Sequence, residues 1–433
     1  MKFNPLQKLL GSLSLTSIVL ASPVLANPAS EAPLVIQMAA ETVSDESDEE
    51  PSPPSSPAPS TSANKRAIGG RNISAFTRKN LYGGSSIGGY FDTEYIFPAN
   101  QPAYFDNHHL ILQVSSMLHE RIFFNTEIEF EHGGIIGGGS NDGELRIEQG
   151  FLDFKLDDWM VFRGGVILVP LGRLNLLHDS DFRDTTTRPL FTNVIMPTTW
   201  MEPGAGFYGT LYPDENWEIF YEAYVLQGLT DNLQDGKGLR GARPSLSKDN
   251  NNSKAFTTRM GFSPFIGLDF GLGAYYSSID AQSQKHLGLF VADLNWRNGP
   301  FELLGEAGLA VHSPTSYTSG EQTIALNGPM WGYYLEGHYH LFPEFLKGSL
   351  FGIDLSNPVF TLVGRISQVD TDASQLNAND RTELVLGVNY RPIANTVFKL
   401  EYQWNLENQA FLTGDFSKEI NNNQLIASVA VGF

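Results

Sequence analysis

The sequence predicts an all-β fold, a transmembrane antiparallel β-barrel of about sixteen strands, on three observations. From about residue 84 onward, strand-like segments are separated by connections that alternate between short and long. Within the segments, apolar and polar residues alternate with period 2, the pattern of strands whose two faces meet different surroundings. The last segment keeps that pattern to its final residue, with Leu425, Ala427, Val429, Val431 and Phe433 on one face. An apolar edge of that kind would template aggregation if left open, and pairing it with the first strand of a barrel removes the hazard.

The elements follow in order. Lys2 and Lys8 precede the apolar stretch from Leu9 to Leu25, and Val24-Leu25-Ala26 supplies the small residues accepted by signal peptidase, so residues 1–26 read as a signal peptide. Ser12, Ser14, Thr16, Ser17 and Pro23 interrupt that stretch, which falls short of the roughly 18 apolar residues of a spanning helix. Residues 27–83 read as a tether and lead-in. Between 27 and 66 the run Ser44-Asp45-Glu46-Ser47-Asp48-Glu49-Glu50 and the prolines from Pro51 to Pro57 give a composition too polar to offset ordering entropy, so disorder is expected there. Residues 84–433 are the barrel. The absence of cysteine excludes disulfides and thiolate metal sites, and 42 glycines, 29 phenylalanines and 16 tyrosines suit many strands, turns and aromatic girdles. A mean hydropathy of −0.17 excludes a helical membrane protein, whereas alternating strands average to such a value.

The short connections are expected near 118–120, 157–158, 212–216, 263–267, 297–300 and 391–395, with 342–358 as a longer member of the set. The long ones are 98–107, 133–143, 170–203, 228–254, 279–285, 312–327, 371–379 and 406–422. Parity then orients side chains. One face carries Glu127, Glu129 and Glu131, and other strands place Glu218 with Glu222, Glu302 with Glu306, and Lys399 with Glu401 and Gln403 on the inner face. Phe398, Leu400, Tyr402 and Trp404 face lipid in that reading. A barrel of this circumference cannot fill its bore with wall side chains, so polar inner faces imply an aqueous lumen. Apolar parity switches near Gly150, which a β-bulge would explain.

Two consecutive segments, Gly150 to Leu156 and Phe162 to Arg173 with its Val169-Pro170-Leu171-Gly172 corner, resemble the strand-turn-strand signature of outer-membrane porins related to the phosphate-selective O/P type. The resemblance implies a homotrimer of water-filled barrels passing small solutes passively. It further implies contact with outer-membrane lipid and lipopolysaccharide, and delivery by barrel assembly machinery that reads the C-terminal aromatic Phe433. In porins of about sixteen strands the third outer loop folds into the bore and sets its narrowest point. Here that loop is 170–203, and it carries Arg173, Asn175, His178, Asp179, Asp181, Arg183, Asp184, Arg188 and Trp200. Structureless loops of this length are uncommon unless functional.

The phosphate-selective pattern is expected to line its pore with arginine and lysine, and this chain departs from it with a formal charge of −20. Of that total the leader contributes its two lysines and residues 27–66 a net −5, leaving about −17 for the rest. Inward glutamates favour cations by raising their local concentration, while Arg173, Arg183 and Arg188 oppose that field. Other chemistry has weaker support. Glu336, His338 and His340 share a strand face, but no second ligand cluster is visible. His108 and His109 are adjacent, hence on opposite faces of a regular strand. Asp179, Asp181 and Asp184 lack the glycine and terminal glutamate of an EF-hand loop. No phosphate-cradling loop or dinucleotide fingerprint occurs. The expectation is a porin, with no catalytic residues, cofactor, metal or nucleic-acid partner; the alternatives are a barrel-rim hydrolase or an anion-selective channel.

Overall fold

The computed structural model describes residues 84–133, 143–215, 217–234, 236–249, 251–319, 322–355, 357–375, 380–407, 417 and 419–433. The expected leader at 1–26 and tether at 27–83 lie outside the described residues.

Sixteen antiparallel strands close into one barrel. In chain order they begin with β1 (Ser85–Pro98), β2 (Tyr104–His119), β3 (Ile122–Glu131), β4 (Glu144–Asp157), β5 (Met160–Leu168) and β6 (Met201–Leu211). They continue with β7 (Glu218–Leu226), β8 (Ala255–Phe265), β9 (Leu268–Ser278), β10 (His286–Asn298) and β11 (Phe301–His312). A small separate hairpin, β12 (Thr315–Ser319) and β13 (Gln322–Leu326), precedes β14 (Met330–Leu341), β15 (Val359–Asp370), β16 (Arg381–Ile393), β17 (Thr396–Glu407) and β18 (Gln424–Gly432). Closure runs from Tyr90 opposite Gly432 to Pro98 opposite Gln424. At its end Phe433 N donates to Gly89 O at 3.0 Å and Gly89 N to Phe433 O at 3.1 Å, so the last residue completes the seam.

Short turns gather at one end of the barrel and longer loops at the other, with 342–358 the long exception among the turns. Among the loops 99–103 is shorter than expected, because both flanking strands extend into it. The outward-facing residues include Phe91, Leu152, Phe207, Leu272, Phe290, Leu362, Leu386 and Leu400, all exposed. At the turn end Trp159, Tyr212, Trp217, Trp296, Phe301 and Tyr339 are exposed as an aromatic girdle. An apolar band with such a rim is stable against hydrocarbon, not against water, so the barrel spans a membrane.

Two of the register irregularities among the described strands set which side chains reach the bore. Ile128 pairs with Ile147 and Glu127 with Gln149, which makes Glu148 the extra residue of β4 and turns both Glu148 and Gln149 inward. This is the switch near Gly150 seen in the sequence. The second bulge was not anticipated: Asp92 pairs with His109 and Glu94 with Asp106, so β2 carries one residue more than β1 between those pairs. His108 and His109 therefore both face the bore, correcting the expectation of opposite faces, and their rings stack with centroids 3.8 Å apart.

The inner wall is not uniformly polar. On the loop half of β7 to β11 and β14 it presents Tyr224, Leu226, Tyr275, Leu287, Leu289, Val291, Ala310 and Met330. Against these pack Phe191, Ile195, Met196 and Trp200 of the third loop, L3 (residues 169–200), and Leu229, Leu233 and Leu239 of the fourth, L4 (residues 227–254). Part of the expected aqueous lumen is thus a dry core. A long loop folded away from solvent needs an apolar surface to bury, and this half of the wall supplies it.

Candidate functional site

L3 starts where the β5–β6 ladder ends, and its neck is held shut. Val169 N donates to Trp200 O at 2.9 Å. Inside that neck the fully buried Asn175 donates its amide to Val169 O at 2.8 Å and Trp200 O at 3.0 Å, and accepts from Trp200 N at 2.8 Å. The Pro170-Leu171-Gly172 corner docks on β11: Glu306 accepts from Leu174 N at 2.5 Å. Gly172 has φ +64°, and a Cβ there would sit 2.5 Å from the Glu306 carboxylate, so conformation and space both demand glycine.

From the neck L3 crosses the bore, and inner-wall charges wire its backbone. His178 Nε2 meets Glu148, the bulge residue of β4. Arg183 is buried inside the loop itself, donating to His178 O at 2.9 Å, Thr186 O at 2.5 Å and Ser180 Oγ at 3.1 Å. Lys399 Nζ donates to Ser180 O at 2.6 Å and Thr185 O at 3.2 Å. Glu401 accepts from Thr186 N at 2.7 Å, Thr187 N at 2.9 Å and Thr187 Oγ1 at 2.7 Å. Arg365 of β15 donates to Thr185 Oγ1 and Thr187 O, both at 2.9 Å. Arg391 of β16 donates to Asp181 O at 2.7 Å and to Asp184 Oδ1 at 2.9 Å. The loop then forms a short helix, α1 (Leu190–Val194). Its Phe191 lies where Gly308 and Gly332 leave room, since a Cβ on either would come within about 3 Å of the ring.

L4 enters beside it, which the sequence reading did not foresee. Glu202 of β6 ties the two loops together by accepting from Trp200 Nε1 at 2.9 Å and Gly228 N at 2.6 Å. Arg240 donates to Thr198 O at 3.0 Å and Arg243 to Thr199 O at 2.6 Å, while Arg188 of L3 reaches Thr198 O at 3.3 Å. Three guanidinium groups thus converge on neighbouring carbonyls. Burial, then Arg240 and the other nearby arginines, pulls Arg243 down to about 10, and burial with Arg188 lowers Arg240.

The remaining predicted residues divide between the two ends. At the loop end Glu127 accepts from Gln149 Nε2 at 2.5 Å, and Glu129 and Glu131 pair with Arg146. Asp92 and Glu94 join them through His109 and His108. Glu222 of β7 accepts from Tyr224 OH at 2.9 Å, and Glu218 is half-buried near the turns. At the turn end a pocket of about 230 Å³ under L3 is lined by Arg173, Leu177, Phe182, Asp184, Glu302 and His338. His338 Nε2 bonds Glu336 at 2.7 Å while its Nδ1 lies 3.2 Å from Asp184 as an ion-pair contact, and His340 bonds Glu302 at 3.2 Å. Burial raises the Asp184 carboxyl, but the His338 hydrogen bond and Arg391 outweigh it and hold the group well below its ordinary value. Asp181 goes the other way, pushed up to about 7 by burial and by repulsion from Asp179. Burial lowers Arg183, and Arg188 adds to that.

The arrangement resembles known channels in fold. Matches include the outer membrane channel DcaP of Acinetobacter baumannii, at 12% identity, a TM-score of 0.51, and 83% of this chain on 100% of that one. Salmonella typhi OmpF, in a complex with daunomycin, matches at 9% identity with a TM-score of 0.53 over 82% of this chain and 100% of that one. The chain shares the fold of outer-membrane porins. In sequence it is similar to an uncharacterized protein of Aquifex aeolicus (strain VF5), 29% identical over 342 residues, which is 74% of this chain and 75% of that protein. No family model matches.

Proposed function

We propose that the protein is a passive channel of the bacterial outer membrane through which small hydrophilic solutes or ions diffuse, with a preference for cations. One observation carries the reading: the longest loop is held inside a membrane-spanning barrel by charged wall residues, chiefly Arg365, Lys399 and Glu401. A narrowed bore with a wired constriction suits solute passage, and a segment of that length would not otherwise be drawn into a barrel. The cation preference is supported by the formal charge of about −17 left outside residues 1–66 and by the carboxylates Asp92, Glu94, Glu129 and Glu131 near the loop end. Kinship with the phosphate-selective O/P type has the 150–173 signature behind it. The same reading includes a homotrimer in contact with lipid and lipopolysaccharide, delivered by the barrel assembly machinery through Phe433, with residues 1–26 as its leader and 27–83 as a periplasmic tether. It includes no enzymatic role.

A second reading has its own support. Arg188, Arg240 and Arg243 converge where L3 and L4 meet, and a local positive field at a narrow section favours anions whatever the average charge. Reversal potentials under a potassium chloride gradient decide between the two. Cation preference is the expected result; a clear anion preference overturns it in favour of the arginine cluster. A folded barrel that passes no current and hydrolyses lipid or peptide would overturn both.

A further inference from the structure

The bulge opposite Thr93 brings His108 and His109 to one face of β2, beside the inward carboxylates of β3. Both rings are held from behind in the same way. His109 Nδ1 lies 2.9 Å from Asp92 and His108 Nδ1 2.8 Å from Glu94, so each carboxylate fixes a tautomer that leaves Nε2 as the open lone pair. A carboxylate bonded to the far ring nitrogen is the usual partner of a metal-ligating histidine.

The near side completes the set. His109 Nε2 is 3.5 Å from Glu129 Oε1 and 3.9 Å from Glu131 Oε1, and His108 Nε2 is 3.9 Å from the same Glu131 oxygen. These separations are long for hydrogen bonds. They approach the edge of about 3.4 Å that a tetrahedron has when its metal–ligand bonds are about 2.0–2.1 Å. Arg146 holds the other oxygen of each glutamate, Oε2, with 3.2 Å to Glu131, and so aims both Oε1 atoms at the rings. Access is from the bore: the side chains of His108 and Glu131 are 25% and 18% exposed, whereas His109 and Glu129 lie behind them at 1%. With neutral rings, the four carboxylates and Arg146 leave a net −3 on this patch, which a divalent ion offsets.

We propose that His109, Glu129 and Glu131, with His108 beside them, bind a divalent transition-metal ion of the zinc, cobalt or nickel class on the inner wall of the barrel. Imidazole with carboxylate selects that class over calcium and magnesium, which prefer all-oxygen sets. The other histidine cluster contrasts with it in spacing, because carboxylate oxygens already lie 2.7 Å and 3.2 Å from the two ring nitrogens of His338, closer than the 3.5 Å and 3.9 Å around His109 Nε2. Binding here requires no conduction, so the inference goes beyond the channel reading and stands or falls separately from it.

The test is cobalt(II) absorption of the full-length protein in detergent, with zinc competition. The wild type is expected to give a saturating visible band at micromolar cobalt that zinc displaces. The His109→Gln and Glu131→Gln variants should each weaken binding at least tenfold, while His338→Gln leaves it unchanged. Heat-modifiable mobility on gels verifies that each variant is a folded barrel, and Glu131→Gln is the near-isosteric change if His109→Gln fails to fold. No band in the wild type, or equal affinity in the wild type and both folded site variants, overturns the site.

Discussion

If L3 narrows the bore because the wall holds it there, releasing one anchor must widen the channel. Glu401 is the sharpest choice, since its carboxylate accepts from two L3 backbone amides, Thr186 N and Thr187 N, and from Thr187 Oγ1. Glu401→Ala leaves both amides without an acceptor in a water-poor site, at about 1–3 kcal/mol each, so the docked loop loses about 2–6 kcal/mol relative to a hydrated one. At about 1.4 kcal/mol per tenfold, the undocked population rises by a factor on the order of 30 to 10⁴. The neck clasp of Asn175 is untouched, so the loop should swing rather than unfold. Single-channel recording in planar bilayers should then show frequent excursions to a higher conductance. Glu401→Gln, which keeps one carbonyl acceptor, should fall between the alanine variant and wild type. A folded Glu401→Ala barrel with the wild-type conductance and no new substates would refute the reasoning.

Other outcomes follow from the same geometry. Deleting Asp179 to Arg188 should raise conductance markedly and permanently, because the narrowest section dominates a series resistance; unchanged conductance would place the constriction elsewhere. Gly172→Val should destabilise the L3 corner through the left-handed φ and the Glu306 contact, lowering the temperature at which the folded gel band disappears. Phe191→Ala empties the depression beside Gly308 and Gly332, costs about 3–5 kcal/mol, and should show as faster proteolysis within L3. Because Asp181 has its proton affinity raised in the docked loop, its contribution to docking is present below about pH 4 and is lost as pH climbs through about 7. Current noise should therefore grow between those values and flatten in Asp181→Asn; a pH-independent wild-type trace would count against it.

Much of this architecture was legible in the chain. The alternating connections follow from strands that must turn back at each membrane face, and period-2 parity was enough to turn Glu127, Glu129, Glu306, Lys399 and Glu401 inward. What parity could not reveal was their use: Glu306, Lys399 and Glu401 are fasteners for L3, a relation between residues more than 130 positions apart in sequence. The bulge at Thr93 was illegible because nothing in Asn107-His108-His109 marks an extra residue, and it is what unites two histidines that a regular strand would separate. The dry half of the wall was also missed. Leu287, Leu289 and Val291 alternate as a lipid-facing set would, and only the packing of L3 and L4 shows that they face in. Arg240 and Arg243 had one signal, the Gly-Leu-Arg-Gly-Ala-Arg spacing in L4, which places two arginines among small residues suited to close packing.

The most direct measurement of the central claim is the current carried by the purified wild-type protein in a planar bilayer under symmetric potassium chloride. Stepwise insertions are expected, with a steady, ohmic open state smaller than that of the loop-deleted barrel. A protein that shows the heat-modifiable mobility of a folded barrel yet yields no steps would contradict it.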